Sequence, residues 1–577
     1  MNGNNKNLSQ IKKNESKKFL SKKMKNNNFV FFIVIAVFYL IGNLLWYKFN
    51  NPIVVQGAYN TYFIRALLEG EYFFEIAPLI IWIMKGFLSV FGNKYFDLEI
   101  IFINYFFFLL ALYFINRICI EIKDKETGLI AMILFALTPA VYGASRQYGH
   151  LDYHIMSISI LNIYSLIKLE EFTDRKWSVI YGISVGFGLL SKDAFLAYFF
   201  VPWAYVAIKS LMKKNNKQKI INILITICLG SFIAGCHYFN TETVTKILQD
   251  PFIESAGPAF SFSQIRIFTI GLSEYLLSFP VFLFFLLGLF WYVFKYENRN
   301  YKYIILLWFI VPWIILMLMK HNRQPDYGLG LIPAIIVVIS LYISNIKNKL
   351  YKTILSVILV CVCLLQYISF SYGINLDLYK KLKINFKGYN FYCFDTNQRI
   401  NQRDAQYPNI VIYSNKKRDY ALSLLKYLNN NFKDNTIYMY KDMLTTFFVM
   451  KEIRTLLLLQ NCKPILKFEE ILDADVIIFT KKDSFIDTNY LVNTIKQFLS
   501  EHFGTYDDEN LEKDIKSKIN EIKNNYIKLD EFGLYNNASE QDCIIVLGKK
   551  DLFEHNGDLK YKYSPLRFNK HEQPCFN

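Results

Sequence analysis

Apolar residues in this chain fall in long blocks instead of repeating at a helical or strand period. The blocks "NFVFFIVIAVFYLIGNLLW" from Asn28, "INYFFFLLALYFI" from Ile103 and "VFLFFLLGLFWYVF" from Val281 set the pattern. A run of about 20 apolar residues matches the hydrocarbon thickness of a bilayer, so each such block reads as a membrane-spanning helix. Buried core helices of a soluble protein would account for one or two runs of this kind, but about ten are present. The blocks predict helices near 29–47, 98–116, 128–144, 153–168, 177–190, 193–208, 220–237, 271–294, 303–319, 328–345 and 353–371. The run at 78–92, "PLIIWIMKGFLSVFG", is too short to span comfortably and carries Lys85, which suits a helix lying at the interface.

Charge supplies the orientation. Lys6, Lys12, Lys13, Lys17, Lys18, Lys22, Lys23 and Lys25 stand directly before the first apolar block, which places residues 1–28 on the cytoplasmic side as a basic tail. That block is long and lacks a small-residue cleavage site, so it reads as a retained helix. Every second turn is then rich in Lys and Arg, for example Lys209, Lys213, Lys214, Lys217 and Lys219, or Lys347, Lys349 and Lys352. The alternating turns are poor in them, and the alternation holds across all eleven predicted spans. The net charge of +17 is therefore a topology signal, and a nucleic-acid partner is not expected. The nine cysteines show no CxxC pair or zinc-like spacing, and those within apolar blocks read as packing residues.

After about Tyr372 the composition changes. Short β-rich runs ("NIVIYS", "NTIYMYK", "DADVIIFTK", "DCIIVLGKK") alternate with helix-like stretches such as "RDYALSLLKYLNNNF". The expected fold class is therefore a mainly α polytopic membrane domain over 29–372, followed by an extracytoplasmic α/β domain over 373–577. The second domain has no Gly-rich phosphate loop and reads as a stabilising or acceptor-docking part.

On this topology the unusual polar residues fall on the outer side, in loops near 48–97, 145–152, 238–270 and 320–327. The first holds Gln56, Arg65, Glu69, Glu71 and Glu75, with Arg65 and Glu69 spaced as a helix-surface pair. The second is "SRQYGHLDYHI", with Arg146, His150, Asp152 and His154. Lys192 and Asp193 follow in "GLLSKDAF", and Lys320, His321, Arg323, Asp326 and Tyr327 in "KHNRQPDYG". Ionisable residues near helix ends are costly unless they pair or work. Converging, they would form an anion-binding, carboxylate-bearing cavity suited to a lipid-linked phosphate. His150 and His154 are one helical turn apart, so His150, Asp152 and His154 are also candidate divalent-metal ligands. Donor contact and helix capping are the other readings of the two histidines.

The order of these motifs resembles the GT-C class of membrane glycosyltransferases, in particular the protein O-mannosyltransferase and aminoarabinose lipid A transferase group. "YFFEIAPLIIWI" matches the group's aromatic-Glu segment through Glu75 and Pro78-Leu79, and "LTPAVYGASRQYGHLDYHIMSIS" matches the next signature through Pro139, Arg146 and Asp152. "GFGLLSKDAF" supplies Lys192, and "KHNRQPDYGLGLIPAI" echoes a basic-to-Tyr turn before a Pro-bearing helix. The resemblance covers roughly residues 29–372.

It implies inverting transfer of a sugar from a polyprenyl-phosphate donor to a glycan, lipid or protein acceptor outside the cytoplasm; separately, the Asn, Lys and Ile richness of the chain suggests a bacterial plasma membrane. No cofactor is required, and a divalent metal stays open. Glu75 and Asp152 are the implied carboxylates. Arg146, Lys192 and Arg323 are the implied phosphate ligands, and Gln56, His150, His154 and Tyr327 the implied substrate contacts. Gln56 stands where the group has its early acid, and a neutral amide is no base. Either Glu75 or Asp152 then takes that role, or the chain is a non-catalytic relative. A transporter or flippase for lipid-linked saccharides is the alternative from another class, with inverted repeats and midplane polar groups as its usual signs.

Overall fold

The computed structural model describes residues 28–46, 78–91, 96–146, 151–213, 217–238, 265–318 and 325–372. It also describes 383–386, 389–392, 436–439, 463–465, 476–480, 524–533, 543–555, 558–559 and the single positions 513, 517 and 521. The chain divides into two compact units, Met1–Lys48 with Phe73–Val411, and Phe49–Tyr72 with Ile412–Asn577.

The first unit is a helical bundle. Its helices are α1 (Asn28–Trp46), α2 (Pro78–Phe91), α3 (Phe96–Ile122), α4 (Lys125–Leu137), α5 (Pro139–Ser145), α6 (Leu151–Lys168) and α7 (Arg175–Ser191). They continue with α8 (Leu196–Leu211), α9 (Lys217–Tyr238), α10 (Phe279–Lys295), α11 (Arg299–Leu318), α12 (Ile332–Ser344) and α13 (Lys349–Tyr372). Two π-helical segments, Arg266–Ile270 and Leu272–Leu277, precede α10, and a 3-10 segment, Pro325–Leu331, precedes α12.

Helix occurs at each of the eleven positions expected from the apolar blocks. Among the described residues, six helices are long and apolar enough to cross a membrane, or seven if the bent α4–α5 pair is one span. The remainder differ for physical reasons. In α6, fifteen of eighteen residues are buried, among them Ser157, Ser159, Asn162 and Ser165. A helix walled in by other helices does not need an apolar surface on every side. The helices α8 and α10 are apolar but shorter, Leu196–Leu211 and Phe279–Lys295.

The break between α4 and α5 follows from Pro139. Proline has no amide to donate and drives the residue before it out of the helical region, and Thr138 accordingly sits at φ −71°, ψ 127°. The Thr138 hydroxyl donates to the Leu134 carbonyl at 2.7 Å, replacing the amide bond lost at the break. The chain bends there by 58°. Helices α7 and α9 approach closely through "GISVG". A Cβ on Gly186 would stand 2.7 Å from Ile233 Cγ2, and one on Gly182 would stand 3.0 Å from the Thr226 carbonyl. Small residues four apart allow this contact, which in a bilayer replaces the missing hydrophobic drive between helices.

The Lys- and Arg-rich turns gather at one end of the bundle. Lys123 Nζ donates to Ser344 Oγ at 2.9 Å, Lys352 pairs with Glu126 at 2.5 Å and Lys168 with Glu121 at 3.3 Å. Glu171 pairs with Lys209 at 3.2 Å and with Lys213. Burial alone would raise the Glu171 carboxyl, but the two ammonium groups outweigh it and hold the carboxyl below its usual range. They anchor a turn in which Glu170, Glu171 and Phe172 all have positive φ, 46°, 59° and 65°. The Asn222 side chain closes that turn by donating to the Phe172 carbonyl at 2.7 Å.

Beyond the helices, β1 (Lys383–Phe386) and β2 (Tyr389–Tyr392) form an antiparallel hairpin that belongs to the first unit. The second unit holds β3 (Thr436–Met439), β4 (Lys463–Ile465), β5 (Val476–Thr480), β6 (Tyr526–Gly533) and β7 (Cys543–Lys549) in one sheet. Its order is β4-β3-β5-β7-β6, parallel across β4, β3 and β5 and antiparallel across β5, β7 and β6. Three strands expected from sequence are β3, β5 and β7. The expected strand "NIVIYS" and helix "RDYALSLLKYLNNNF" lie outside the described residues.

Candidate active site

At the end of the bundle away from the basic turns, three elements meet around one ion pair. Asp152 lies in the first turn of α6, where a carboxylate also suits the positive end of the helix dipole. Lys192 is the C-cap of α7, and its extended backbone, φ −173° and ψ 139°, turns the chain out of the helix. Its Nζ lies 2.9 Å from both Asp152 Oδ1 and Asp152 Oδ2. The two side chains are only 19% and 10% exposed, so neither charge could be held there cheaply without the other. The same Nζ stands 4.3 Å from the ring centroid of Tyr327, a cation–π contact from the 3-10 segment. That segment is held by Tyr198 of α8, whose hydroxyl donates to the Tyr327 carbonyl at 3.1 Å. The Tyr198 ring lies so close to Gly330 that a Cβ there would collide with it.

Arg146, the C-cap of α5, is also buried. Its Nε donates to Asn43 Oδ1 at 2.9 Å, NH1 to Ser371 Oγ at 2.8 Å and NH2 to Tyr367 Oη at 3.2 Å. Trp46, Tyr142 and Tyr367 surround the guanidinium with ring centroids at 5.1, 5.2 and 5.4 Å. Arg146 therefore ties the ends of α1, α5 and α13 together.

His154 is fully buried and lies beside Asn104 of α3, with Nε2 and Oδ1 3.0 Å apart. Phe107 packs edge-on against the imidazole with centroids 4.6 Å apart. The expected metal array is thus divided, because Asp152 faces Lys192 while His154 faces Asn104. Among the described residues, no group of three or more His, Cys, Asp or Glu could hold a metal ion. Gln56, Glu75, His150 and Arg323 lie outside the described residues.

Several residues here carried no sequence signal. Asn43, Asn104, Tyr198 and Ser371 sit inside or at the edge of apolar blocks, and nothing local marks them as partners. Glu274 did carry one, as an acid within the apolar run "GLSEYLLSF". It lies on the second π-helical segment and is 1% exposed. That segment packs against α5 and the 3-10 segment, beside the elements that carry Arg146 and Tyr327.

The fold is similar to that of solved membrane glycosyltransferases. ArnT from Cupriavidus metallidurans bound to undecaprenyl phosphate aligns over 90% of this chain and 97% of its own, with a TM-score of 0.53 at 10% identity. Its apo form aligns over the same shares with a TM-score of 0.51 at 11% identity. The apo oligosaccharyltransferase of Archaeoglobus fulgidus aligns over 87% of this chain and 69% of its own, with a TM-score of 0.50 at 13% identity. Residues 75–236 also match the dolichyl-phosphate-mannose-protein mannosyltransferase family. The matched stretch runs from Glu75 through Arg146, Asp152 and Lys192. No curated protein sequence matches the chain.

Proposed function

We propose that the chain is a GT-C glycosyltransferase that moves a sugar from a polyprenyl-phosphate donor to a glycan, lipid or protein acceptor at the outer face of the membrane. The observation that carries this reading is the Lys192–Asp152–Tyr327 cluster, built at the end of the bundle opposite the basic turns. By the positive-inside rule those turns, and the N-terminal tail, face the cytoplasm, and the cluster and the C-terminal α/β domain face outward. The eleven helical positions then account for eleven passes, with α6 enclosed by its neighbours.

In the reaction, the acceptor hydroxyl oxygen attacks the anomeric carbon as the bond from that carbon to the phosphate oxygen breaks. The electron pair leaves on polyprenyl phosphate, the acceptor proton passes to a carboxylate and the anomeric configuration inverts. Asp152 is already engaged through both oxygens by Lys192, so Glu75 is the better base and Asp152 orients the lysine. Donor phosphate draws Lys192 Nζ into a new charge-assisted contact, with Arg323 as its second cation. Arg146, already bonded through three nitrogens, adds positive potential from behind. Gln56, His150 and Tyr327 contact donor or acceptor. The histidine spacing leaves room for a divalent cation only through groups beyond the described residues.

The test is release of polyprenyl phosphate from polyprenyl-phosphate sugars by the purified protein. Glu75→Gln lowers kcat at least 100-fold, on the scale expected for loss of a positioned base. Release that survives Glu75→Gln and Asp152→Asn together removes the carboxylate mechanism. No release from any donor points to transport or to a non-catalytic relative.

A further inference from the structure

Next to the ion pair lies a chain of buried polar groups that the proposed reaction leaves unused. Tyr39 of α1 donates to Ser145 Oγ at 2.7 Å, and Ser145 Oγ donates to the Tyr142 carbonyl at 2.9 Å. Asn104 Nδ2 donates to the Ser145 carbonyl at 2.8 Å, and Tyr153 Oη donates to the Asn104 carbonyl at 3.2 Å. His154 completes the set at 3.0 Å from Asn104 Oδ1. Tyr39, Asn104, Ser145, Tyr153 and His154 are all at most 3% exposed.

The chemistry fixes who donates. A carbonyl only accepts, so the Ser145 carbonyl requires the Asn104 NH2 to face it, and Oδ1 must then face His154. Since Oδ1 can only accept, His154 presents its proton on Nε2. The imidazole is thus a hydrogen-bond donor to the framework, sealed by Phe107.

Asn104 joins two chain ends. Ser145, the last residue of α5, immediately precedes Arg146, and Tyr153 and His154 immediately follow Asp152. We propose that Asn104 and His154 are positioning residues. Together they clamp the C-terminal end of α5 and the first turn of α6 to α3, and so set the placement of Arg146 and of the Asp152–Lys192 pair. The Asn104 amide is engaged through both its NH2 and its Oδ1 within a low-dielectric interior, where an amide left unmatched is costly, and this makes the clamp selective for one arrangement. The inference rests on the transferase reading for its kinetic consequence but not for its structural one.

The experiment uses the full-length purified protein and three variants, Asn104→Ala, His154→Leu and His154→Gln. A glutamine amide reaches about where the imidazole Nε2 proton stood, so it preserves the donor while removing the ring. Hydrogen exchange is read on peptides covering Ser145–Ile158, and kcat and donor KM are read from polyprenyl phosphate release. Asn104→Ala and His154→Leu are expected to speed exchange about tenfold and to lower kcat about tenfold, with donor KM within about twofold. His154→Gln is expected to recover both to within about threefold of the starting protein. The clamp is overturned if exchange is unchanged in Asn104→Ala, if His154→Gln is as impaired as His154→Leu, or if the variants raise KM alone, as loss of a direct substrate contact would. If the starting protein releases no polyprenyl phosphate, the transferase reading fails, and the exchange comparison still decides the clamp.

Discussion

Lys192 and Asp152 answer for each other. With both mostly buried, removing the lysine strands a carboxylate, a loss of about 3–5 kcal/mol for pairs of this kind. Lys192→Ala is therefore expected to lower both the thermal midpoint and, at least 100-fold, the release of polyprenyl phosphate. Lys192→Arg, which keeps the charge, is expected to restore the midpoint more fully than the rate, because a planar fork does not place its charge where an ammonium does. A Lys192→Ala protein as stable as the starting one would show that the pair carries little energy. At this scale much of the site was legible. Asp152, Arg146, Lys192 and Tyr327 stood out because charge or a polar ring at the edge of an apolar block needs a reason. Their partners were not legible, because Asn43, Asn104 and Ser371 are small polar residues whose meaning lies in a neighbour 41 to 225 positions away in sequence. His154, a candidate substrate contact or metal ligand from the sequence, lies against Asn104 while Asp152 faces Lys192, because residues two apart on a helix point to different neighbours.

The elements show the same division. The run 128–144 reads as one helix in the sequence, and the structure divides it at Pro139 into α4 and α5. The "GISVG" stretch on α7 permits a close approach without saying to which helix, and α9 supplies the surface. Gly186→Val is expected to force Ile233 away and to destabilise the bundle by about 1–3 kcal/mol, the usual cost of overpacking. Thermal unfolding followed by tryptophan fluorescence measures it, and an unchanged midpoint would mean that α7 and α9 can separate freely. The strand β6 escaped notice for a different reason. "YIKLDEFG" places Lys528, Asp530 and Glu531 within eight residues, a charge density suited to the sheet edge that it occupies.

For the whole molecule, the basic turns gathered at one end carry the orientation. A single cysteine at Asn348, in a background without the native cysteines, is expected to resist a membrane-impermeant thiol reagent in intact cells and to react once the membrane is opened. Labelling in intact cells would invert the topology and with it the proposed outer-face reaction. What the sequence alone determined is what short-range chemistry dictates. Block hydrophobicity makes membrane helices, and the proposed direction and working side rest on alternating charge and on ionisable residues at the helix ends. The tertiary structure decided which helices are wrapped by others, where the broken span bends and which polar groups meet. Those outcomes depend on packing between segments far apart in the chain, and no local pattern encodes the distance between Lys192 and Asp152 or the proton on His154.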